Sequence, residues 1–408
     1  MALAFDDAVA RVLGAARLLE RESLPLRAAA GRVLREEVAA DLDLPPFDTT
    51  AMDGWAVRSQ DVASCPASLR ALGTVAAGDE PPGELLEGCA LKVMTGAPMP
   101  PGSDAVVPVE QAREPSGGRV ELLEAPAAGQ HVRRRGEVIA AGALLLSPGR
   151  RLSPADVALA AVAGRASLEV TVRPRAGVLV TGDEIVPAGS PLRHGQIRNS
   201  NGPMLVAALE RLGADVTDLG AVSDERQALR AALAAALDGS FDLLITSGGV
   251  SAGDFDLVRP VLEELGARVL FHKVSMKPAK PILVAEAGRT LVFGLPGNPV
   301  SSAVAGDLLV RPAVRAMLGL EPSLPPPVTV VLVAAVRNKG PRLGFHPARV
   351  RPCEGRLTAE PLATRGSHDI LSHARAGALL RLPPEAELAA GDAVPAYLAA
   401  EDTVMSGS

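Results

Sequence analysis

The stretch of residues 241–302 constrains the fold more than any other part of the sequence. It opens with the apolar run FDLLITS, turns through the glycine-rich loop GGVSAG, and continues into apolar residues at helical spacing over 257–265. A short apolar run that ends at glycines is typical of a buried strand. A strand, a glycine loop and a helix in this order predict a doubly wound α/β domain. In such a domain, ligands bind beside the loop at the carboxyl end of the strand.

The loop carries groups that suit an anion and a metal ion. Gly248 and Gly249 let the backbone approach a ligand closely, and amide groups at the start of a helix favour anions. Asp254 and Asp256 follow, and carboxylate oxygens are ligands that Mg²⁺ prefers. The pattern therefore indicates an anion site, with or without a metal ion between the anion and the acids.

Three lysines come next in the chain. The segment 272–276 is typical of a strand, so Lys273 and Lys277 are predicted to project to one face of it. Prolines on both sides hold Lys280 in an extended loop. Each feature also has a plain structural explanation, because glycine pairs make turns, aspartates cap helices and most lysines face water. Their occurrence together in one stretch favours the anion site.

Length and charge exclude several classes of protein. With 408 residues, the chain is too long for one ordinary core, and we expect about two to four domains. The net charge of −6 argues against nonspecific nucleic-acid binding and against a role at a membrane surface. Only 2% of the residues are aromatic, so few side chains are available to stack on unpaired bases. No nucleic-acid partner is expected.

Cysteines and hydropathy indicate the compartment. Cys65, Cys89 and Cys353 are far apart and lack metal-ligand spacing, so a disulfide framework is not expected. The first residues carry acids where a signal peptide needs positive charge, and no apolar run approaches the ~20 residues of a membrane span. We therefore expect a cytoplasmic protein with no membrane partner.

Local patterns predict the remaining elements. Apolar spacing predicts helices over 5–20 and near 26–38, and the segment 153–156, SPAD, is a strong helix start with an N-cap serine followed by proline. Short apolar runs between Gly and Pro over 57–135 and 328–400 predict two β-rich domains, the second a barrel or sandwich.

Strand and helix patterns alternate over 175–320, which supports the α/β domain. For two residues of this domain, the sequence allows both a structural and a functional role. Asp224 could be the N-cap of the following helix or, with Glu184, a metal ligand at the end of a strand. Asn298, followed by Pro299, could cap the last helix or help to bind phosphate.

Three groups of motifs resemble the molybdopterin molybdenumtransferase family, the bacterial MoeA type, which is similar to the E domain of gephyrin. The first group is TSGGVSAGD at 246–254, MKPAKP at 276–281 and LPGNPVS at 295–301. The second is PPFDTTAMDGWA at 45–56, and the third is MTGAP at 94–98 with GSDAVV at 102–107. The matches run in order along nearly the whole chain, and jointly they are specific.

The resemblance implies a division into four domains and a homodimer whose active site is completed across the subunits. The implied domains are an elongated, discontinuous dimerisation domain at 1–44 and 136–172, a β-rich inserted domain at 45–135, an α/β molybdopterin-binding domain at 173–320 and a C-terminal β-barrel at 327–400.

The resemblance also implies the reaction. The substrates would be molybdate and adenylylated molybdopterin, and AMP would be released with the help of Mg²⁺. Molybdopterin adenylyltransferase would be the pathway partner. Tungstate stays open as an alternative to molybdate, since both are tetrahedral dianions of nearly equal size.

Site residues carried over from the motifs fall into three sets. The implied catalytic residues are Asp53, Thr95, Glu184, Asp224, Asp256, Lys273 and Lys277. The implied substrate-binding residues are Gly248, Gly249, Ser251, Lys280, Pro296, Gly297, Asn298, Arg349 and Ser367. The implied metal ligands are Glu184, Asp224, Asp254 and Asp256.

Departures from the family pattern concern three places. Thr49, Thr50 and Trp55 stand where the pattern usually has Asn, Ser and Tyr, so only the first change loses an amide. Val138 stands at a usually acidic position. After Ser367 the chain has HDI where the family typically has Gly-Met-Leu, which leaves the backbone geometry there open.

Two other functions stay open at this point. The adenylyltransferase of the preceding step shares the α/β domain and its Gly-Gly loop, but the flanking domains and the PPFD motif argue against it. Activity with ATP and metal-free molybdopterin would favour it. A non-catalytic scaffold, the second role of gephyrin, would be favoured by peptide binding that survives Asp256→Ala.

Overall fold

A six-stranded mixed sheet forms the centre of the molecule. The computed structural model describes residues 2–115, 117–250 and 257–399. In spatial order, the first four strands of the sheet are parallel. The fifth runs antiparallel to them and forms a hairpin with the fourth, and the edge strand pairs antiparallel with the fifth. In spatial order the strands are Asp215–Val222, Arg175–Thr181, Leu243–Ser247, Thr290–Leu295, Leu283–Ala287 and Arg268–His272. Ser251, Asp254 and Asp256 of the predicted site lie outside the described residues.

Helices cover both faces of this sheet. The strand Leu243–Ser247 is buried throughout, and its successive side chains join different cores: Leu243 and Ile245 belong to one hydrophobic cluster and Leu244 to the other. The prediction of a doubly wound α/β domain is therefore confirmed. The helical segments are Asn201–Leu212, Arg226–Ala236, Val258–Glu264, Pro299–Ala305, the π-helical turn Gly306–Val310 and Arg311–Leu318.

The N-terminal helix belongs to the same core. It spans Phe5–Ala15, and its buried face packs with the side chains of the α/β domain. The Phe5 ring lies 4.9 Å from the ring of Phe345 and 6.4 Å from that of Tyr397, both in the C-terminal domain. This helix therefore contacts the α/β domain and the C-terminal domain together.

Residues near 20–40 and 140–172 form a separate, largely extended unit. The strand Arg21–Pro25 pairs with Ser167–Thr171, and Val38–Ala39 pairs with Leu144–Leu146. The predicted helix near 26–38 is wrong, because only Leu26–Ala29 is helical. Beyond it, Gly31 has a positive φ of 79° and Val33 and Leu34 make bridges to residues 151 and 170, so long-range pairing replaces helix formation.

The helix predicted from SPAD is confirmed and spans Pro154–Val162. The Ser153 hydroxyl accepts a hydrogen bond from the Asp156 amide, and the Asp156 carboxylate accepts bonds from the Ser153 amide and hydroxyl. This reciprocal capping fixes the start of the helix.

A second six-stranded sheet builds the β-rich region between residues 49 and 133, as predicted. Trp55 lies in its core, only 3% exposed. Thr49–Thr50 pairs with Val132–Arg133 at its margin, and the 3₁₀ turns are Ser59–Val62 and Val109–Gln111. In spatial order the strands are Ala105–Pro108, Gly54–Val57, Cys89–Val93, Ala67–Val75, Arg119–Leu122 and Ala112–Arg113.

The C-terminal domain contains a closed five-stranded barrel. In order around the barrel the strands are Leu343–Cys353, Arg356–Pro361, Val328–Leu332, Ala393–Leu398 and Ala378–Leu382, and the last pairs with the first. Ile370–Ala374 is a short helix beside it. The two-residue strand Met276–Lys277 of the α/β domain pairs with Leu343–Gly344, so the barrel is joined to the lysine segment by backbone hydrogen bonds.

Two smaller pairings complete the secondary structure of the described residues. Ile185–Val186 pairs with Ile197–Arg198, and Val336–Arg337 pairs with Glu387–Leu388. Within the ranges that the structure describes, no helix is both long and apolar enough to span a bilayer.

Candidate functional site

Two neighbouring cavities lie where the carboxyl ends of the parallel strands meet the barrel. The first, of about 660 Å³, is lined by the glycine loop and is called the glycine-loop cavity. The second, of about 470 Å³, is lined by the lysine segment and the barrel and is called the basic cavity. Pro281, Pro296 and Asn298 line both cavities, which are therefore contiguous.

The backbone of the glycine loop lies close against the neighbouring strand. Gly248 has a φ of +105°, and a Cβ atom there would lie 2.5 Å from the carbonyl oxygen of Thr181. Gly249 has a φ of +63°, and its Cβ would lie 2.9 Å from a methyl group of Val258. Both positions therefore require glycine, which leaves the floor of the cavity lined by backbone.

An asparagine that was not predicted fixes the floor of the same cavity. The buried Asn201 amide group donates hydrogen bonds of 2.8 Å to the Ser247 hydroxyl and to the carbonyl oxygen of Gly297. It thereby links the end of one strand to the turn at 296–299. The polar run RNSN at 198–201, just before a helix, was the sequence signal that could have indicated it.

The acidic side of the glycine-loop cavity is formed by Glu184 and Asp224. Partial burial raises the pKa of Asp224, and the nearby charges of Asp183 and Glu184 raise it further. The N-cap prediction for Asp224 is wrong: the helix begins after Glu225, and no side chain caps it. The backbone amide of Asp224 instead donates a hydrogen bond of 3.1 Å to the Asp183 carboxylate.

This crowding of carboxylates suits a divalent cation, which would relieve their mutual repulsion. Mg²⁺ commonly takes one or two protein carboxylates and completes its shell with phosphate and water. Glu184 and Asp224 supply such a pair, although the described residues contain no group of three or more His, Cys, Asp or Glu side chains arranged around a common point. The other two predicted ligands, Asp254 and Asp256, fall outside the described ranges.

The basic cavity has the opposite charge. Its described lining residues include four cations and no carboxylate; the cations are Lys277, Lys280, Arg337 and Arg342. Ser367 and the neighbouring Gly366 also line this cavity. Arg342 donates a 2.9 Å hydrogen bond to the carbonyl oxygen of Met276, which holds the barrel against the lysine segment. The cavity is suited to an oxyanion.

His346 also lines the basic cavity, and its pKa is lowered. Burial is the main cause, and the positive charge of Lys277 adds to it. Its Nε2 atom lies 2.9 Å from the carbonyl oxygen of Leu362, which can only accept, so Nε2 carries the hydrogen. The neutral ring therefore keeps Nδ1 as an acceptor.

Lys273 and Arg349 were predicted as site residues, but neither lines either cavity. The strand before the lysines ends at His272, and Lys273 follows with a φ of +81°, so the predicted shared face of Lys273 and Lys277 is wrong. Arg349 forms an ion pair of 2.8 Å with Glu360 on the neighbouring barrel strand. Arg337 and Arg342, which the sequence reading missed, occupy the barrel side of the cavity instead.

The chain after Ser367 turns between the two cavities. The carbonyl oxygen of Ser367 accepts a hydrogen bond from the Val300 amide at 3.1 Å, and His368 lines the glycine-loop cavity. The Asp369 side chain then caps the short helix that follows. The departure from the family pattern here therefore places an imidazole, rather than glycine, at the rim of the site.

Asp53 and Thr95 lie together, but in the β-rich region. The Asp53 carboxylate accepts hydrogen bonds from the amide and hydroxyl of Thr95 at 2.6 and 2.7 Å, and these bonds lower the pKa of Asp53. Both residues are exposed, and neither lines the two cavities. Val138, at the usually acidic position, is 66% exposed.

Family models match three consecutive parts of the chain. The MoeA N-terminal region (domain I and II) matches residues 3–164, a probable molybdopterin binding domain matches 177–316, and the MoeA C-terminal region (domain IV) matches 329–399. The molybdopterin molybdenumtransferase of Synechococcus elongatus is 39% identical over 83% of this chain and 85% of its own length. That of Bacillus subtilis is 37% identical over 93% and 89%.

This chain belongs to the molybdopterin molybdenumtransferase family. A crystal structure of a molybdopterin biosynthesis MoeA protein from Pyrococcus horikosii agrees with the fold, with a TM-score of 0.83 and 31% identity over 98% of this chain and all of that one. The resemblance read from the sequence motifs is therefore confirmed. The described lining residues of both cavities lie in the parts of the chain that match the second and third family models.

Proposed function

We propose that this protein inserts molybdenum into molybdopterin during molybdenum cofactor biosynthesis, using molybdate and adenylylated molybdopterin and releasing AMP. The observation that carries the proposal is the junction of two cavities of opposite charge. A cavity lined by four cations opens onto one that holds Glu184 and Asp224 above a glycine floor. A metal oxyanion and a pyrophosphate could thus lie side by side.

The basic cavity would bind molybdate. Lys277, Lys280 and Arg342 would neutralise the dianion, and the Ser367 hydroxyl would donate to one of its oxygens. No carboxylate among the described lining residues opposes them. The neutral His346 ring would leave the cavity's charge to these cations.

The glycine-loop cavity would bind the adenylylated pterin. The backbone of Gly248 and Gly249 allows a phosphate to lie against the loop, and the turn at 296–299, fixed by Asn201, would hold the other side. Attack of water on the pyrophosphate would break one bridging P–O bond, so that AMP departs beside the loop and molybdopterin keeps its own phosphate. The dithiolene would then lie next to the molybdate.

Glu184 and Asp224 would hold Mg²⁺, together with Asp254 and Asp256 of the adjoining loop. The ion would supply positive charge to the pyrophosphate oxygens as negative charge builds on the leaving phosphate. Burial is the main cause of the raised pKa of Asp224, and the charges of Asp183 and Glu184 add to it. This crowding of carboxylates supports the assignment, because it favours a cation.

We further propose that the enzyme is a cytoplasmic homodimer. Asp53 and Thr95 lie outside both cavities of their own chain, which supports a role at the site of a second subunit. A molybdopterin adenylyltransferase would supply the adenylylated substrate.

Hydrolysis of adenylylated molybdopterin by the purified protein tests the proposal. We expect molybdate-dependent AMP release with Mg²⁺, and a loss of at least about 100-fold in Lys277→Gln, because a charge that stabilises the bound oxyanion is removed. The matched control is Lys339→Gln, an exposed lysine outside the lining of both cavities, which should keep its rate. Nucleotide binding without AMP release in the wild type would reject the enzymatic function.

The metal assignment is tested by thermal unfolding rather than by activity. Asp224→Asn removes one of three crowded charges, so the variant should melt at a higher temperature than the wild type without Mg²⁺. Added Mg²⁺ should then stabilise the wild type, since it binds the folded state, and stabilise the variant much less. Equal stabilisation of both proteins would remove Asp224 from the metal site.

A further inference from the structure

The segment 364–374 of the C-terminal domain contributes to both cavities of the site. Gly366 and Ser367 line the basic cavity, and His368 and Ile370 line the glycine-loop cavity. The other described lining residues of the glycine-loop cavity come from the α/β domain. His368 therefore brings an imidazole ring to that cavity from a different domain.

Backbone hydrogen bonds hold the chain around His368 in place. The Asp369 amide donates at 3.1 Å to the carbonyl oxygen of Gly366, and the Asp369 carboxylate accepts at 3.0 Å from the Arg365 amide. The amide of Ile370 donates at 3.0 Å to the carbonyl oxygen of His368. None of these bonds involves the imidazole ring, so a substitution of His368 leaves them available.

The ring of His368 is free to contact a ligand. It is exposed, and within the described ranges it makes no hydrogen bond and no ion pair. A Cβ atom at Gly366 would lie 3.6 Å from the Nδ1 atom of His368 and 3.7 Å from its Cε1 atom. Because Gly366 lines the basic cavity, the ring lies beside the boundary between the two cavities.

A metal ion is not the ligand that this ring fits. The described residues contain no group of three His, Cys, Asp or Glu side chains that could hold a metal ion. The imidazole therefore does not complete a metal site with Glu184 and Asp224, although all three residues line the same cavity.

A phosphate group fits the ring better. Among the described residues that line the glycine-loop cavity, Arg198 is the only arginine or lysine, and two carboxylates lie in the same lining. A pyrophosphate in this cavity therefore needs hydrogen-bond donors besides the amides of the loop. An imidazole N–H group donates to a phosphate oxygen, and the charge of the phosphate strengthens the bond.

We propose that His368 binds the phosphate group that leaves with AMP. The inference rests on the function proposed above, which places the nucleotide beside the glycine loop. The imidazole N–H group would donate to a non-bridging oxygen of this phosphate, while the loop amides approach it from the α/β domain. The nucleotide would thus be bound by both domains, and the segment that carries Ser367 to the molybdate would also contact the nucleotide.

Calorimetric titration of the full chain with AMP and with adenosine tests the inference. In His368→Gly, AMP should bind about ten-fold more weakly than in the wild type, because a charge-assisted hydrogen bond is lost. Adenosine lacks the phosphate and should bind both proteins equally. The matched control is His194→Gly, which removes an exposed imidazole outside the lining of both cavities and should bind AMP like the wild type.

Three further measurements separate a contact with the phosphate from an effect on the fold. The melting temperature of His368→Gly should stay close to that of the wild type, since the ring has no hydrogen bond to lose. Added imidazole should restore part of the AMP affinity of this variant and leave that of the wild type unchanged. His368→Gln keeps an N–H donor and should lose less affinity than His368→Gly.

The outcomes distinguish this inference from the proposed function. Equal AMP affinity in the wild type and His368→Gly, an equal loss of adenosine binding, or no binding of AMP to the wild type would overturn the role of His368. Molybdate-dependent AMP release by the wild type would leave the function standing in each of these cases. AMP binding that depends on His368 in a wild type without turnover would support the phosphate contact and reject the transferase.

Discussion

Burial beside the basic cavity is the main reason that the His346 ring stays neutral. Burial lowers its pKa, and the charge of Lys277 lowers it further. In the unfolded chain the ring titrates near its ordinary value of about 6.5. Below that pH the unfolded state binds a proton that the folded state resists, so stability falls as the pH decreases through this range.

We predict that removing the lysine charge will raise the pKa of His346. In Lys277→Gln, the pKa should move up toward 6.5, while burial should keep it below that value. NMR titration of the imidazole resonances measures this directly and also reports the Nε2–H tautomer expected from the bond to Leu362. A pKa that is unchanged by the substitution would show that Lys277 does not face the ring.

At the scale of single residues, the sequence predicted site residues on loops better than site residues on strands. Gly248 and Gly249 were predicted because the glycine pair follows a buried strand and occurs in one stretch with acids and lysines, and the cavity lies there. Arg349 was assigned to the site, but it lies on a barrel strand opposite Glu360 of the neighbouring strand and forms an ion pair with it. Arg342 could not be predicted, because its position depends on a strand pairing between Met276–Lys277 and the barrel, more than sixty residues apart.

The glycine loop tolerates little change at Gly248. A methyl group at Gly248 would meet the Thr181 carbonyl oxygen at 2.5 Å on a backbone with positive φ. At Gly297, on the opposite side of the same cavity, the nearest atom would be the Gly248 Cα at 3.8 Å, an ordinary contact distance.

We therefore predict that an alanine substitution will be destabilising at Gly248 and neutral at Gly297. Gly248→Ala should destabilise the protein by about 1–3 kcal/mol through backbone strain, with a lower melting temperature. Gly297→Ala should leave the melting temperature within about a degree of the wild type, because it adds no strain. Thermal unfolding of both variants checks this, and a tolerated Gly248→Ala would mean that the loop adopts a different conformation.

Two segments with helical signals show what the sequence could and could not predict at the scale of the element. Ser153 and Asp156 carry a complete capping signal three residues apart, so the helix start needed no tertiary information. The apolar spacing near 26–38 was equally regular, but bridges to residues 151 and 170 draw the chain into extended structure. Helix periodicity cannot reveal such a partner.

At the scale of the whole molecule, the motifs predicted the set of domains, and the contacts between them came only from the structure. The helix Phe5–Ala15 lies in the first residues of the chain, yet it packs on the α/β core and against Phe345 of the barrel. The four domain limits inferred from the sequence stay predictions. The packing partner of such a helix cannot be predicted from the local sequence, because apolar residues at helical spacing fit any core.

The predicted dimer has a consequence that mixing can test. If each active site uses the cavities of one chain and Asp53 of the other, Asp53→Asn and Lys277→Gln will each be inactive alone. A mixed dimer then contains one site with both defects and one with neither. Random reassociation of equal amounts should restore about one quarter of the wild-type activity, since half of the dimers are mixed and half of their sites are intact.

The matched control for this experiment combines Asp224→Asn with Lys277→Gln. Both residues line the contiguous cavities of a single chain, so every site of the mixed dimer keeps one defect and no activity should return. Native mass spectrometry of the reassociated mixture confirms that mixed dimers form. If they form and Asp53→Asn with Lys277→Gln stays inactive, Asp53 acts within its own subunit. The separation of the Asp53–Thr95 pair from both cavities would then require a movement of the β-rich region toward the glycine loop.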